Sequence, residues 1–260
     1  KQPNLAALEI LAVAHVPALE KQLATWARQG DAQTRAAVCT ALAGLPAKSA
    51  LPALAKGLRD RDASVRATCI DSTLGFLPLD APLRARLREL ARDRDRSVRA
   101  AAVRVMSKLA PRAIRAADDP AAQVRAAYAA GLVHAEPGAA RTDLTELVDD
   151  RDPDVRAAAW RALAGNPEAG KGVAELAMRA LSDPAASVRT AALATATDDA
   201  AILRAATSDD DADVRTAAVV RLAALRGREA SEELLVQRFA AATPGSAERV
   251  RTALAWLLAR

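Results

Sequence analysis

The sequence has 260 residues, a formal net charge of +5 and a composition that is 51 % hydrophobic but only 2 % aromatic. It contains no signal peptide and no apolar run long enough to cross a membrane, so membrane insertion is not expected. A core of Ala, Leu and Val with few rings suits thin, closely packed helices, and Ala and Leu are strong helix formers. No alternating apolar run with β-branched residues occurs, so no strands are predicted.

The first elements in chain order do not form a complete repeat. Residues 4–14 resemble a second helix without its partner, and a helix from Pro17 to Gln29 follows. An orphan helix at the start of an array is expected in a fragment of a longer protein. We therefore interpret residues 1–260 as one repeat domain from a longer chain.

From residue 33 onward one motif recurs, in which a turn with Asp or Ser precedes Val-Arg and an alanine-rich run. The marker arginines of its eight copies are spaced by 31, 33, 26, 31, 33, 26 and 36 residues. One triplet of spacings occurs twice, so residues 31–120 and 121–210 are predicted to be an internal duplication. The marker arginines are Arg35, Arg66, Arg99, Arg125, Arg156, Arg189, Arg215 and Arg251.

Each copy predicts two helices, and the second is expected to begin at a capped turn. In Asp119-Pro120, Asp152-Pro153 and Asp183-Pro184, Asp is the predicted N-cap and Pro the first helical residue. With the marker Arg as position zero, positions −1, +2, +3, +6 and +7 share one face, the predicted core stripe. In the fifth copy these positions are Val155, Ala158, Ala159, Ala162 and Leu163.

The first helices have an apolar face of their own. Leucines and alanines recur at helical spacing in residues 51–58 and 83–91. Two copies are short, around residues 111–117 and 199–207, and leave room for only a brief first helix.

The recurring Asp-x-x-x-x-Val-Arg-x-x-Ala pattern resembles the HEAT repeat, particularly the bacterial HEAT-like type also found in phycobilisome lyases. The resemblance covers nearly the whole chain. It implies an all-α fold, a right-handed α-solenoid of eight helix pairs plus the orphan N-terminal helix, with second helices lining the concave side. It does not specify a function, because this fold carries many.

The marker arginines are expected to be structural. Each lies at the edge of the core with turn aspartates nearby, and a repeated Arg–Asp ladder between neighbouring copies accounts for both residue types. The aspartates singled out for this role are Asp62, Asp95, Asp152 and Asp211.

Basic charge is concentrated in residues 81–115, which hold eleven Lys or Arg residues and three acidic ones. Several arginines follow i, i+4 spacing opposite a leucine stripe, so they are predicted to share an exposed face. Such a patch suits phosphate, an acidic protein surface or anionic lipid, and a merely solvated helix face is the alternative. The candidate anion-binding residues are Arg84, Arg88, Arg92, Arg94, Arg96 and Arg112.

The concave face is the other candidate site. Positions +4 and +5 of the second helices are predicted to point away from the core and to form a mildly apolar groove for a helix or extended peptide. The alternative is that the +4 row packs against the adjacent copy. The candidate partner-binding residues are Ile70, Val103, Arg104, Trp160, Arg161, Leu193 and Val219.

Residue types suited to catalysis are sparse. The two histidines, His15 and His134, are far apart, and no phosphate loop, nucleophile motif or metal-ligand spacing occurs. Cys39 and Cys69 are interpreted as two buried thiols, which favours a reducing, cytoplasmic compartment. No enzymatic activity, cofactor or metal site is predicted.

Three functional hypotheses follow. The leading one is a non-catalytic, monomeric scaffold that binds a protein or peptide partner along the concave face. The alternative is non-specific binding of nucleic acid or another polyanion through residues 81–115, where no aromatic residue is available to stack on bases. The third is an enzyme or chaperone of the bilin lyase kind, which rests on the family resemblance alone.

Overall fold

The computed structural model describes residues 19–111, 113–241 and 244–259, and over these ranges it contains helices, turns and loops but no strand. Tertiary contacts divide the chain into two compact units, residues 1–135 (unit 1) and residues 136–260 (unit 2). Each unit is built from paired helices.

Some predicted features lie outside the described residues. These are the orphan helix at residues 4–14, His15 and Arg112. The helix predicted to end at Gln29 is described from Leu19 and does end there.

Unit 1 contains seven described α-helices. They are α1 (Leu19–Gln29), α2 (Ala32–Leu42), α3 (Ala47–Gly57), α4 (Ala63–Ser72), α5 (Ala81–Leu90), α6 (Arg96–Leu109) and α7 (Ala122–Gly131). First helices α1, α3 and α5 alternate with second helices α2, α4 and α6, and α7 is a further second helix. Successive second helices contact one another, α2 with α4, α4 with α6 and α6 with α7.

Unit 2 contains eight described α-helices in the same alternating order. They are α8 (Pro137–Leu147), α9 (Pro153–Gly165), α10 (Ala174–Ala180), α11 (Ala186–Leu193), α12 (Asp199–Ser208), α13 (Ala212–Arg226), α14 (Arg228–Ala240) and α15 (Pro244–Leu258). Here α9, α11, α13 and α15 are the second helices, and each contacts the next. The stacking of second helices is therefore common to both units.

The core stripe predicted for the fifth copy is confirmed in α9. All five of its residues are buried, and Val155, Ala159 and Leu163 have no exposed surface. Alanines on this face let neighbouring helices approach closely, while leucines such as Leu54 and Leu87 on the first helices fill the space between layers. Burial of this apolar stripe is what holds each helix pair together.

The second helices other than α15 start in one register. Their N-cap lies four residues before the marker Arg, and where it is Asp its carboxylate accepts a backbone N–H of the first turn. Helix α15 starts earlier, at Pro244, seven residues before its marker Arg251. The prediction that a helix begins at Pro153 after an Asp152 cap is confirmed.

The same prediction is wrong for the two other Asp-Pro pairs. Helices α7 and α11 begin two residues later than predicted, after Ala121 and Ala185. Asp119 and Asp183 lie in the preceding turn, where each accepts the N–H of the alanine two residues on. Their prolines therefore belong to the turn and not to the helix.

The two short copies differ from each other. Residues 110–118 form no helix in their described part, so the predicted brief first helix is absent there. Residues 199–208 form the helix α12, so the predicted first helix is present, but with ten residues it is as long as α5 and not brief.

The cysteines are buried as predicted, but the expectation of free thiols is wrong. Cys39 of α2 and Cys69 of α4 form a disulfide, with their Cα atoms 4.9 Å apart. Contact between adjacent second helices brings residues from different copies together, which the sequence separation alone did not indicate. The inference of a reducing, cytoplasmic compartment rested on free thiols and loses that basis.

The disulfide occupies space left by a glycine. A Cβ atom added to Gly57 of α3 would lie 2.1 Å from Sγ of Cys69 and 3.3 Å from Sγ of Cys39. Gly57 therefore allows the first helix to pack directly over the sulfur atoms.

Candidate partner-binding surfaces

Marker arginines bridge neighbouring repeats in a repeated geometry. Nη1 of Arg66 donates to the carbonyl oxygen of Asp60, in the turn before its own helix, at 2.8 Å. Nε and Nη2 donate to the two carboxylate oxygens of Asp93 in the next turn, at 3.0 and 2.9 Å. Such bidentate pairing fixes orientation as well as distance. We use the name ladder for the pairs Arg35–Asp60, Arg66–Asp93, Arg99–Asp119, Arg156–Asp183 and Arg189–Asp209.

The ladder confirms the predicted Arg–Asp pairing but changes the acidic partner. Asp62 and Asp95, which were predicted as partners, cap their own helices instead, and the same holds for Asp152 and Asp211. The paired carboxylate lies two residues earlier in the same turn. Because both positions are acidic in the turns before α4, α6, α9 and α13, the sequence of these turns does not distinguish the cap from the bridge.

Pairing lowers the pKa of the ladder carboxylates. For Asp60 the main cause is the hydrogen bonds from Arg35, with burial acting in the opposite direction. For Asp119 and Asp209, burial by itself would raise the pKa. Hydrogen bonds from the paired arginine and from a backbone N–H, together with nearby guanidinium charges, outweigh burial and lower the pKa. These carboxylates therefore stay ionised at neutral pH, and the ladder is intact there.

The prediction of a partner-binding groove is wrong for its apolar residues, because they are buried. Ile70, Val103, Trp160, Leu193 and Val219 are each at most 1 % exposed. Position +4 lies only about 40° around the helix from the marker Arg, towards the neighbouring second helix. A second helix inside a stack packs against its own first helix and against second helices on both sides, which widens the buried arc. The +4 row is core, and Trp160 is not a surface anchor.

Position +5 of the second helices faces solvent instead. Arg104 and Arg161, the two charged members of the predicted groove, occupy this row and are exposed. In unit 1, Nη2 of Arg104 donates to the Asp71 carboxylate at 2.8 Å, so the row is polar and internally paired. In unit 2 the +5 position is Arg161, Ala194, Val220 and, in α15, the half-buried Trp256. We call the three exposed residues, Arg161, Ala194 and Val220, the exposed row of unit 2.

Exposed large apolar side chains occur in unit 2 and were missed by the sequence analysis. Among the described residues they are Val220, Leu225, Val236 and Leu258, which are 46 %, 37 %, 50 % and 50 % exposed. Val220 belongs to the exposed row, whereas Val236 lies on the first helix α14. The signal available in the sequence was the +5 position, one residue beyond the buried Val219.

The predicted basic patch lies on α5 and the turn leading into α6. Arg84 is half-buried, and Arg88, Arg92, Arg94 and Arg96 are exposed. No described carboxylate lies within 4 Å of any of these five guanidinium groups. Beside Arg88 and Arg92 the surface opens into a cavity of about 540 Å³, whose other wall is formed by residues 113–119. The structure thus brings two of the predicted residues to one concave site.

The described residues contain no group of three or more His, Cys, Asp or Glu side chains suited to a metal ion. No helix in the described part of the chain is long and apolar enough to cross a membrane.

Comparison with solved structures shows the fold. The X-ray structure of YIBA_ECOLI superimposes with a TM-score of 0.64 at 16 % identity, over 100 % of this chain and 98 % of that one. An engineered protein gives a TM-score of 0.46 at 17 % identity, over 98 % and 84 % of the two chains. Kap121p bound to Pho4p gives 0.40 at 14 % identity, over 93 % of this chain and 38 % of that one.

Comparison of the sequence itself gives the family. A search of curated proteins found no significant match. A family model of HEAT repeats matches residues 16–107 and 109–197, which include six of the eight marker arginines. With this motif matched over most of its length, the chain belongs to the HEAT-repeat family.

Proposed function

We propose that this chain is a non-catalytic scaffold that binds a protein partner along the exposed row of unit 2. The observation that carries the proposal is Val220, a large apolar side chain left 46 % exposed on a second helix, directly after the buried Val219. Helices and extended peptides bind through apolar side chains at regular spacing, and Val220 offers one such contact.

The row has the composition of a binding surface. Arg161 at one end supplies a charge without a described acidic partner, and Ala194 leaves a shallow floor between it and Val220. Adjacent second helices contact one another in unit 2, so the three side chains are held on packed elements. The ladder pairs Arg156–Asp183 and Arg189–Asp209 fix the spacing of these helices. A partner would therefore meet a preorganised row, which lowers the entropic cost of binding.

Unit 1 is a poorer candidate for the same role. Its row contains the Arg104–Asp71 pair, in which each charge already has a partner. A protein that bound there would have to compete with that pair for its hydrogen bonds. The proposal therefore concerns unit 2.

The test compares two valines of similar exposure. The protein is used to purify partners from its native cell with nuclease present, and the affinity of a recovered protein is then measured with purified components. We expect Val220→Asp to weaken binding at least tenfold, because it places a charge in the apolar part of the interface. Val236→Asp, which makes the same change on first helix α14, is expected to leave the affinity within about twofold.

Two results would contradict the proposal. One is an equal loss of affinity in the two variants, which would indicate that the row is not the contact. The other is the disappearance of every partner on nuclease treatment, which would favour nucleic-acid binding. Trp160→Ala is not suitable as a test, because this side chain is 1 % exposed and its loss would disturb the core.

A further inference from the structure

A local excess of positive charge lies at the place where a first helix is missing. The cavity of about 540 Å³ beside α5 is bounded by Arg88 and Arg92 on one side and by the loop 113–119 on the other. Since residues 110–118 form no helix in their described part, nothing in this loop fills the space between α5 and the turn that contains Asp119.

The carboxylates of the cavity wall are already paired. Glu89 accepts a hydrogen bond from Arg86 at 2.8 Å. Asp118 is paired with Arg115, and Asp119 with Arg99 in the ladder.

Arg88 and Arg92, by contrast, have no described carboxylate within 4 Å. The two guanidinium groups line the same cavity, so their like charges repel each other there. A bound anion would relieve this repulsion, and every other charge in the wall is locally balanced.

The corresponding place in unit 2 shows the alternative arrangement. The positions 90 residues after Arg88 and Arg92 are Met178 and Ser182, which are uncharged. There α12 is present, and its Ala206 is fully buried. Where the first helix is present, these two positions are uncharged, although the neighbouring Arg179 is exposed; where the first helix is missing, both positions are arginines.

We propose that this cavity is a binding site for a compact, multiply charged oxyanion of the phosphate type, such as an oligophosphate. The planar guanidinium group of arginine pairs with phosphate oxygens through two parallel hydrogen bonds, and two such groups share one wall here. The positive charge of the cavity suits a phosphate group. No aromatic side chain lines the cavity, so a nucleobase would find no surface to stack on. This site is independent of the exposed row of unit 2.

The experiment replaces Arg88 and Arg92 by the residues found 90 positions later, Met and Ser. Sodium tripolyphosphate is titrated calorimetrically into the wild-type protein and into the double variant Arg88→Met, Arg92→Ser. The matched control is Arg179→Met, Arg204→Ser, which removes two exposed arginines of unit 2 and changes the net charge equally. We expect the cavity variant to bind at least tenfold more weakly and the control to stay within about twofold of wild type. Both variants change exposed residues, so far-ultraviolet circular dichroism is expected to show unchanged helicity.

Three results would overturn the proposal. The first is the absence of tripolyphosphate binding by the wild-type protein. The second is an equal loss in the two variants, which would show that only overall charge matters. The third comes from a parallel titration with duplex DNA: binding of DNA alone, weakened equally in both variants, would indicate a diffuse polyanion surface in place of a compact site.

Discussion

The stretches that follow α6 and α11 are built differently although they have the same length. From Arg99 to Asp119 and from Arg189 to Asp209 the separation is 20 residues in both cases, and both pairs are bidentate. After Arg99 the second helix runs on to Leu109 and no first helix follows in the described residues. After Arg189 the second helix already ends at Leu193. Enough residues then remain before Asp209 to form α12.

Local sequence explains how each stretch is partitioned. Helix α6 continues because Val105 and Met106 still meet the core, and only residues 110–118 then remain before Asp119. After α11, Asp198 accepts the N–H of Ala201 at 2.8 Å and so starts α12. The ladder therefore sets the repeat length in both places, while the presence of a first helix is optional.

Breaking the ladder at equivalent positions tests this conclusion with the largest expected effect. Arg99→Ala and Arg189→Ala each leave a largely buried aspartate without its partner, and we expect each to lower the free energy of unfolding by about 3 to 4 kcal/mol. Urea unfolding followed by circular dichroism measures both. The control, Arg104→Ala, removes an exposed pair and is expected to cost less than about 1 kcal/mol.

The pH dependence of the ladder provides a second readout. Because the pKa values of Asp119 and Asp209 are lowered in the folded protein, their stabilising contribution is present above the unfolded pKa of about 4. It is lost as the pH falls through the folded-state pKa. The difference in stability between wild type and each variant is therefore expected to shrink below about pH 4. A much larger loss for one of the two variants would show that the two stretches do not depend on the ladder equally.

Truncating one isoleucine in each stretch measures how tightly that stretch packs against the core. Ile202 of α12 is fully buried, whereas Ile114 of the non-helical stretch is half-buried. We expect Ile202→Ala to lower the free energy of unfolding by about 3 kcal/mol, and Ile114→Ala by about 1 kcal/mol, because the second leaves little cavity. Both values come from the same urea titrations. Equal losses would mean that residues 110–118 pack as tightly as α12 does.

The smallest effect is expected at the disulfide, where the residues also differ from those 90 positions later. Gly57, Cys39 and Cys69 correspond to Leu147, Ala129 and Ala159, so large and small groups have exchanged places. Gly57→Ala is expected to cost about 2 kcal/mol, because its Cβ atom would overlap Sγ of Cys69.

In the variant with Cys39→Ala and Cys69→Ala the same change is expected to become favourable by up to about 1 kcal/mol, because alanine is the better helix former. The effect of Gly57→Ala on stability is measured by thermal unfolding in both backgrounds, with wild type and the double cysteine variant as the references. The sign of this effect is expected to differ between the two backgrounds. If Gly57→Ala is equally costly in both backgrounds, the overlap with sulfur is not its cause.

The repeat register and the helix pairs could be predicted from the sequence, because they follow from a motif repeated eight times at helical spacing. The candidate surfaces could be predicted only in part. Helical periodicity identifies the face that packs on the first helix, but it does not show that Trp160 and Val219, outside that face, are also buried. The disulfide of Cys39 and the cavity beside Arg88 likewise depend on which elements become neighbours, and a single sequence does not specify that.

The ladder also bears on how the chain can fold as it is synthesised. Each of the five pairs joins residues only 20 to 27 positions apart in sequence. At the usual rate of about 5–20 residues per second, the ribosome releases an aspartate within a few seconds of its arginine. Each repeat can thus lock to the one before it while the remainder is still being translated, and none of these five pairs waits for a distant segment.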